Sequence, residues 1–235
     1  MHTYQSFGEM KATARKSLEG NYGRAISMYI NVRILGLLPS YITLLFFSES
    51  NIFQIVGSEI VRFILLAFLQ VLQVGVCLFY LKLTCSQTAS MSDLFHGFRN
   101  NRNKALTLGI IFTAISYLCL LPATIFSYNT SIPLYTYYFT LAAGTLAASL
   151  LLLPFRQCYY ILLDFPSLSV RQILLRSIRL MRGNIFRYIL FSISFIPLLL
   201  LSFLSFGIGL LWVIPYMEAS RTIFYLDLAR KHNNS

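Results

Sequence analysis

Charge is what this sequence has least of, and acids above all. Only 11% of its 235 residues are charged, and 8 Asp and Glu stand against 19 Lys and Arg. A soluble domain carries about 25% charged residues. Together with 57% hydrophobic residues and a mean hydropathy of +0.66, the shortage excludes an ordinary soluble protein and points to the membrane. Catalytic patterns are missing too: there is no HExxH, no GxSxG, no Gly-rich phosphate loop, and no pair of acids in one apolar run. Cys77, Cys85, Cys119 and Cys158 are scattered, without a CxxC or a nearby histidine. They read as small apolar side chains kept reduced, not as a disulfide or metal set. His2, His96 and His232 are equally isolated, in polar segments. No catalytic residue, metal ligand or cofactor is therefore expected, and the chain reads as a non-enzyme.

What remains is apolar sequence in long runs. The net charge of +11 lies beside those runs rather than in a separate basic domain, so nucleic-acid binding is set aside in favour of the positive-inside rule. A span needs roughly 20 apolar residues, and six runs qualify: Ala25 to Phe47, Val56 to Leu81, Ala105 to Phe126, Tyr135 to Leu163, Ile185 to Phe203, and Phe206 to about Leu226. The loops after the first, third and fifth hold no Lys or Arg, although the first holds Glu49. The N-terminal segment, the connections Lys82–Lys104 and Asp164–Asn184, and the tail hold nearly all the basic residues. The expected protein is a multi-pass component of the cell membrane with both termini cytoplasmic. No signal peptide is expected, because the first apolar run follows 24 polar residues with no small-residue cleavage site behind it.

The segment Asp164 to Asn184, DFPSLSVRQILLRSIRLMRGN, organises the reading. Phe165-Pro166 ends an apolar run, Ser169 can cap a new helix, and Gly183-Asn184 stops it. Val170, Ile173, Leu174, Ile178 and Met181 fall on one face, and Arg171, Arg176, Arg179 and Arg182 on the opposite arc. This pattern predicts a helix lying in the headgroup plane, its apolar face in lipid and its four arginines on anionic headgroups. Met10, Ala14 and Leu18 make a similar face opposite Lys11, Arg15 and Lys16, before Gly20-Asn21. Ser92-Asp93 open a shorter version with Leu94, Phe95 and Phe98 apolar.

These helices precede two-span hairpins three times, and the second span of each hairpin closes alike: Phe79-Tyr80-Leu81, Tyr159-Tyr160-Ile161, Phe224-Tyr225-Leu226. The fold expected is all-α: one integral membrane domain over residues 1–235, six transmembrane helices plus three cytoplasmic-face amphipathic helices. It is divided into three helix-plus-hairpin repeats, roughly residues 5–82, 83–165 and 166–229.

Few polar residues interrupt the spans. Glu59, Asp164, Glu218 and Asp227 each have a basic residue within reach in sequence and read as paired structural charges. Asn31, Arg33, Gln70 and Gln73 form the candidate intramembrane polar cluster, although Arg33 can also snorkel to the headgroups. Pro39, Pro122, Pro154, Pro197 and Pro215 are spread over five spans. No unwound, Gly-rich interruption of the transporter kind is expected, and Gly207-Ile-Gly209 comes nearest.

The C-terminal portion resembles the bacterial integral-membrane family of domain of unknown function nine-seven-five. Asp164 matches its span-end acid, and Ser177, Arg179, Met181 and Gly183 match its Ser–Arg–Met–Gly run. Gly207, Gly209, Trp212, Pro215, Tyr216, Phe224 and Tyr225 match its GIG–W–PY–FY run. ARKSLEGNYGRA, Ala14 to Ala25, is similar to the family's opening, where a tryptophan more often stands at Tyr22. The resemblance implies a multi-span protein with no established activity or catalytic residues. The layout is more weakly similar to membrane domains fused to some glycerophosphodiester phosphodiesterases.

The function expected from the sequence is a non-catalytic scaffold or accessory protein, holding anionic lipid or a membrane-protein partner through its basic helices. The alternative is a transporter or lipid-handling protein with a cavity lined by the Asn31, Arg33, Gln70 and Gln73 cluster. Spans three and five offer little polar lining beyond Ser and Thr, and an enclosed path needs such lining.

Overall fold

Ser6 starts the first helix by accepting from the Glu9 amide, while the Glu9 carboxylate accepts from the Ser6 amide at 2.9 Å. This reciprocal cap satisfies two of the donors a helix start leaves free. Helix α1 (Phe7–Leu18) follows, and its Met10, Ala14 and Leu18 are fully buried. The structure, a computed structural model, describes residues 5–47, 51–128 and 133–233, and every regular element in them is helical. His2 and Glu49 lie outside the described residues, as does the side chain of His232.

Helix α2 (Tyr22–Phe46) rises first. Helices α3 (Ile52–Leu69) and α4 (Leu72–Thr84) return as one apolar stretch with a break between them. A 3₁₀ turn, Met91–Phe95, and the single turn α5 (His96–Arg99) lie beside α4. Then come α6 (Arg102–Ser127), α7 (Leu134–Leu152), a 3₁₀ turn at Leu153–Phe155, and α8 (Cys158–Asp164). The basic helix is α9 (Val170–Met181); α10 (Ile185–Ile193), α11 (Ile196–Leu204) and α12 (Leu210–Asn233) finish the chain. Gly20 and Gly183, at φ +75° and +81°, turn the chain from α1 into α2 and from α9 into α10. That left-handed backbone is one that side-chain-bearing residues resist.

Five stretches are long and apolar enough to cross a membrane: Tyr22–Phe46, Ile52–Thr84, Arg102–Ser127, Leu134–Asp164 and Ile185–Leu204. Their outward faces are bare hydrocarbon, with Leu44, Phe53, Leu118, Phe139 and Phe203 between 67% and 87% exposed. Patches on that scale belong against lipid. The sixth expected span is not among the five. Helix α12 carries Glu218, Arg221, Asp227, Arg230 and Lys231. It packs against α1, α2, α4, α9 and α11, and Ala219, Ser220, Thr222, Phe224 and Tyr225 on it are at most 1% exposed. A central position lets three of these charges pair inside the bundle: Arg221 with Glu218 at 2.5 Å and Asp227 with Arg187 at 2.8 Å, while Arg230 and Lys231 are exposed.

Three features depart from or add to the sequence reading. First, no Gly-rich interruption is seen at these points, yet three spans are broken by tightened turns without glycine. Between α3 and α4 the Val71 and Gln73 amides bond three residues back, to Phe68 and Gln70, at 3.1 Å each. In the fourth span Pro154 sits in the 3₁₀ turn, and between α10 and α11 the Phe195 amide bonds back to Ser192 at 3.2 Å. Each break is a tightened turn of the kind that marks strain or function. Second, α9 does not lay its apolar face in lipid. Ile173, Ser177 and Met181 are fully buried against protein, while Leu175 and Ile178 are 50% and 39% exposed. Third, the stretch after Ser92 is two short turns rather than an amphipathic helix, and Phe95 is 46% exposed. Asp93 anchors that stretch by accepting from Lys82 at 2.6 Å and from the Ser90 amide at 2.9 Å.

Candidate functional site

Two of the breaks face one another across a cavity of about 470 Å³. A tightened turn swings neighbouring side chains out of the regular helical stripe, and here those side chains are polar. The α3–α4 break contributes Gln70 and Gln73, and the α7–α8 break contributes Phe155, Arg156 and Gln157. Ser116 comes from α6, Thr145 and Ser149 from α7, Tyr159 and Tyr160 from α8, Tyr188 from α10, and Glu218 with Arg221 from α12. Phe112, Leu120, Ala148 and Leu152 make the apolar remainder of the wall. The size falls within the usual span for small-molecule pockets, about 300–1,000 Å³.

The wall holds its polar groups unevenly. Arg221 is matched by Glu218, and the Tyr160 hydroxyl shares a 3.0 Å hydrogen bond with Thr222 Oγ1. Tyr160 also stacks on Tyr225, ring centres 4.8 Å apart and planes 16° from parallel, and the Tyr225 hydroxyl donates to Asp164. Gln157 is different. It is 2% exposed, its Nε2 reaches only the Met181 sulfur at 3.6 Å, and its Oε1 has no partner. A buried amide left half satisfied costs about 1–3 kcal/mol. Arg156 is exposed and has neither an ion pair nor a hydrogen bond among the described residues.

Helix α9 braces this wall from outside. Ser177 Oγ donates to the Pro154 carbonyl at 2.7 Å, and Met181 takes the Gln157 amide. Three of its four arginines therefore point away from the protein, and the fourth, Arg176, is half-buried against it. Arg176 lies 3.8 Å from the centre of the Phe165 ring, and Arg171, Arg179 and Arg182 are exposed.

The predicted polar cluster is only partly assembled. Gln70 and Gln73 line the cavity. Gln73 also lines a second cleft of about 380 Å³ together with Arg33, Tyr29, Tyr80 and Glu218. Arg33 is exposed there, its guanidinium carbon 5.2 Å from the Tyr29 ring centre. Asn31 joins neither; it is exposed and donates back to the Ser27 carbonyl at 2.8 Å. Sequence reasoning missed Arg156, Gln157 and the tyrosines as parts of one site. The available signal was Pro154-Phe-Arg-Gln157, a proline followed by two long polar side chains inside an otherwise apolar run.

Outside the spans, burial lowers the pKa of Lys11, whose ammonium donates to the Ser194 carbonyl at 2.9 Å and lies 4.3 Å from the Phe195 ring centre. It thus closes the α10–α11 break from the side of α1. Among the described residues no cluster of His, Cys, Asp and Glu could hold a metal ion.

Neither a curated protein nor a solved structure matches the chain. The cavity draws its walls from residues as far apart as Gln70 and Arg221, and one family model, described as protein of unknown function (DUF975), matches residues 1–232 and so takes in all of them: the chain belongs to that family.

Proposed function

We propose that this protein takes a polar or amphiphilic molecule into an intramembrane cavity, as a transporter or lipid-handling protein, rather than serving as a scaffold. The observation that carries the reading is the 470 Å³ cavity where two membrane-spanning stretches break. A scaffold has no use for interrupted helices, whereas discontinuous helices are a recurrent way to build a binding site at membrane depth. The polar lining comes mainly from the breaks in the second and fourth spans, with Ser116 the third span's contribution.

The wider frame of the proposal is six spans in the cell membrane with both termini cytoplasmic. The sixth span runs from Phe206 to about Leu226, with Glu218 and Arg221 paired to one another inside it. The three units are repeats. Supporting this, Phe79-Tyr80, Tyr159-Tyr160 and Phe224-Tyr225 are all at most 7% exposed, so they are core pairs and not an aromatic belt. The outward arginines of α9 meet anionic lipid on the cytoplasmic leaflet.

The test is access. In a cysteine-free variant carrying Ser116→Cys, a water-soluble methanethiosulfonate should modify the thiol in liposomes. Proteoliposomes should also move a headgroup-labelled phospholipid between leaflets, or bind it, above protein-free controls. A thiol that stays unmodified, with no lipid bound or moved, returns the protein to the scaffold class.

A further inference from the structure

Resting on the reading of the cavity as a binding site, we infer that its ligand is an amphiphile with an anionic headgroup, and that Arg156 is the counter-charge. The chemistry recognised is an oxyanion, a phosphate or carboxylate, carried on an apolar tail.

The charge of the wall argues for the anion. Of its three ionised side chains, Arg221 and Glu218 satisfy one another at 2.5 Å. Arg156 is left as the net charge, without a partner among the described residues. It stands in the fourth span, whose last helix ends at Asp164. At about 1.5 Å of rise per residue, that puts it about 12 Å inside the end. An arginine at such depth is costly unless it finds an anion or reaches water. Arginine also offers the forked donors that fit a phosphate or carboxylate.

The amide next to it argues that the site is completed by something polar. Gln157 is 2% exposed with its Oε1 unpartnered. Buried side-chain amides are normally satisfied, and this oxygen only accepts, so a donor such as a headgroup hydroxyl, and not the oxyanion itself, would satisfy it beside the free cation.

The rest of the wall argues for the tail. Phe112, Leu120, Ala148 and Leu152 give a small inorganic anion nothing to bind, yet they suit hydrocarbon. Thr145 and Ser149 line the cavity and are exposed on α7, a helix that packs along α6. The cavity thus reaches the lipid side of the bundle there, and an amphiphile can slide in laterally without leaving the bilayer.

The experiment uses the full chain in nanodiscs of phosphatidylcholine. Photoactivatable phosphatidylglycerol and phosphatidylcholine, each with a diazirine in the tail, are crosslinked and the adducts mapped by peptide mass spectrometry. The anionic probe should mark α7 near Thr145 to Leu152. Arg156→Gln should reduce that crosslinking about tenfold or more, the scale of losing a charge-assisted hydrogen bond, and Arg156→Lys should retain most of it as the folding control. Inorganic phosphate at millimolar concentration should not compete. Equal marking by both probes, or no loss in Arg156→Gln, overturns the anion assignment while leaving the cavity a lipid site. Competition by phosphate overturns the amphiphile in favour of a soluble anion. No adduct at the cavity from either probe overturns this inference and the reading beneath it together.

Discussion

At the scale of single residues, Asp227 carries the most consequence for its size. It accepts from Arg187 at 2.8 Å, and both side chains are nearly buried, at 10% and 16% exposure. Arg187 donates further to the Gln5 carbonyl at 2.9 Å and lies over the Phe224 ring, 5.1 Å from its centre. Removing one partner of such a pair leaves the other charged and unmatched, which costs about 3–5 kcal/mol, whereas replacing both by apolar groups is often neutral. Asp227→Ala is therefore expected to lower the thermal unfolding midpoint of the detergent-solubilised protein steeply. Arg187→Met with Asp227→Leu should recover most of the loss. A double variant as unstable as the single one would mean that the pair's value lies in its geometry and not in its charge balance. The sequence already marked Glu59, Asp164, Glu218 and Asp227 as structural acids. For Glu59 and Glu218 the partner is three residues away and readable from spacing. For Asp227 it is Arg187, and for Asp164 the Tyr225 hydroxyl, neither of which any local pattern announces.

Among the elements, α9 looks in sequence like a lipid-surface helix and packs like a structural one. Its buried stripe of Ile173, Ser177, Leu180 and Met181 sits under the 3₁₀ turn of the fourth span and beside α8. Periodicity identifies the stripe but not its partner, because a lipid and a protein surface reward the same apolar face. Changing Arg171, Arg176, Arg179 and Arg182 together to Gln should leave amide-exchange protection in α9 nearly unchanged, in neutral and anionic liposomes alike. Ile173→Asp should abolish that protection. Faster exchange in the arginine variant, confined to anionic liposomes, would show that headgroups hold the helix down. The breaks were harder to read than the helices. Only one carries a proline at its centre, Pro154. At Gln70–Val71 and Ser194–Phe195 only a few backbone hydrogen bonds shift from four residues back to three, a change to which a hydropathy pattern is blind.

For the molecule as a whole, orientation is the testable quantity. Basic loops on one side and loops without Lys or Arg on the other predict that reporters fused after Asn51, Asn129 and Ser205 read external. Those fused after Asn101, Gly183 and Ser235 should read internal. A reversed pair would break the proposed six-span arrangement at that hairpin. The apolar runs were legible because hydrocarbon thickness fixes their length. So were the joints at Gly20-Asn21 and Gly183-Asn184, because their backbone demands glycine. The cavity was not legible. Its wall gathers Gln70, Ser116, Gln157 and Arg221 from four stretches, and only the packing of α12 into the centre of the bundle brings them to one place.

That packing sets an order on how the protein is made. Helix α1 is made before the other helices described, yet its larger docking surface is α12, and the Gln5 amide donates to Asp227 near the other end of the described chain, at 3.3 Å. Lys11 needs the Ser194 carbonyl, also late in the chain. Throughout synthesis the buried face of Met10, Ala14 and Leu18 has no complete partner, and it must be shielded by the membrane surface or a chaperone until the last helix arrives. A chain released before residue 227 leaves its first helix resting on α4 without the whole of the larger surface that α12 provides.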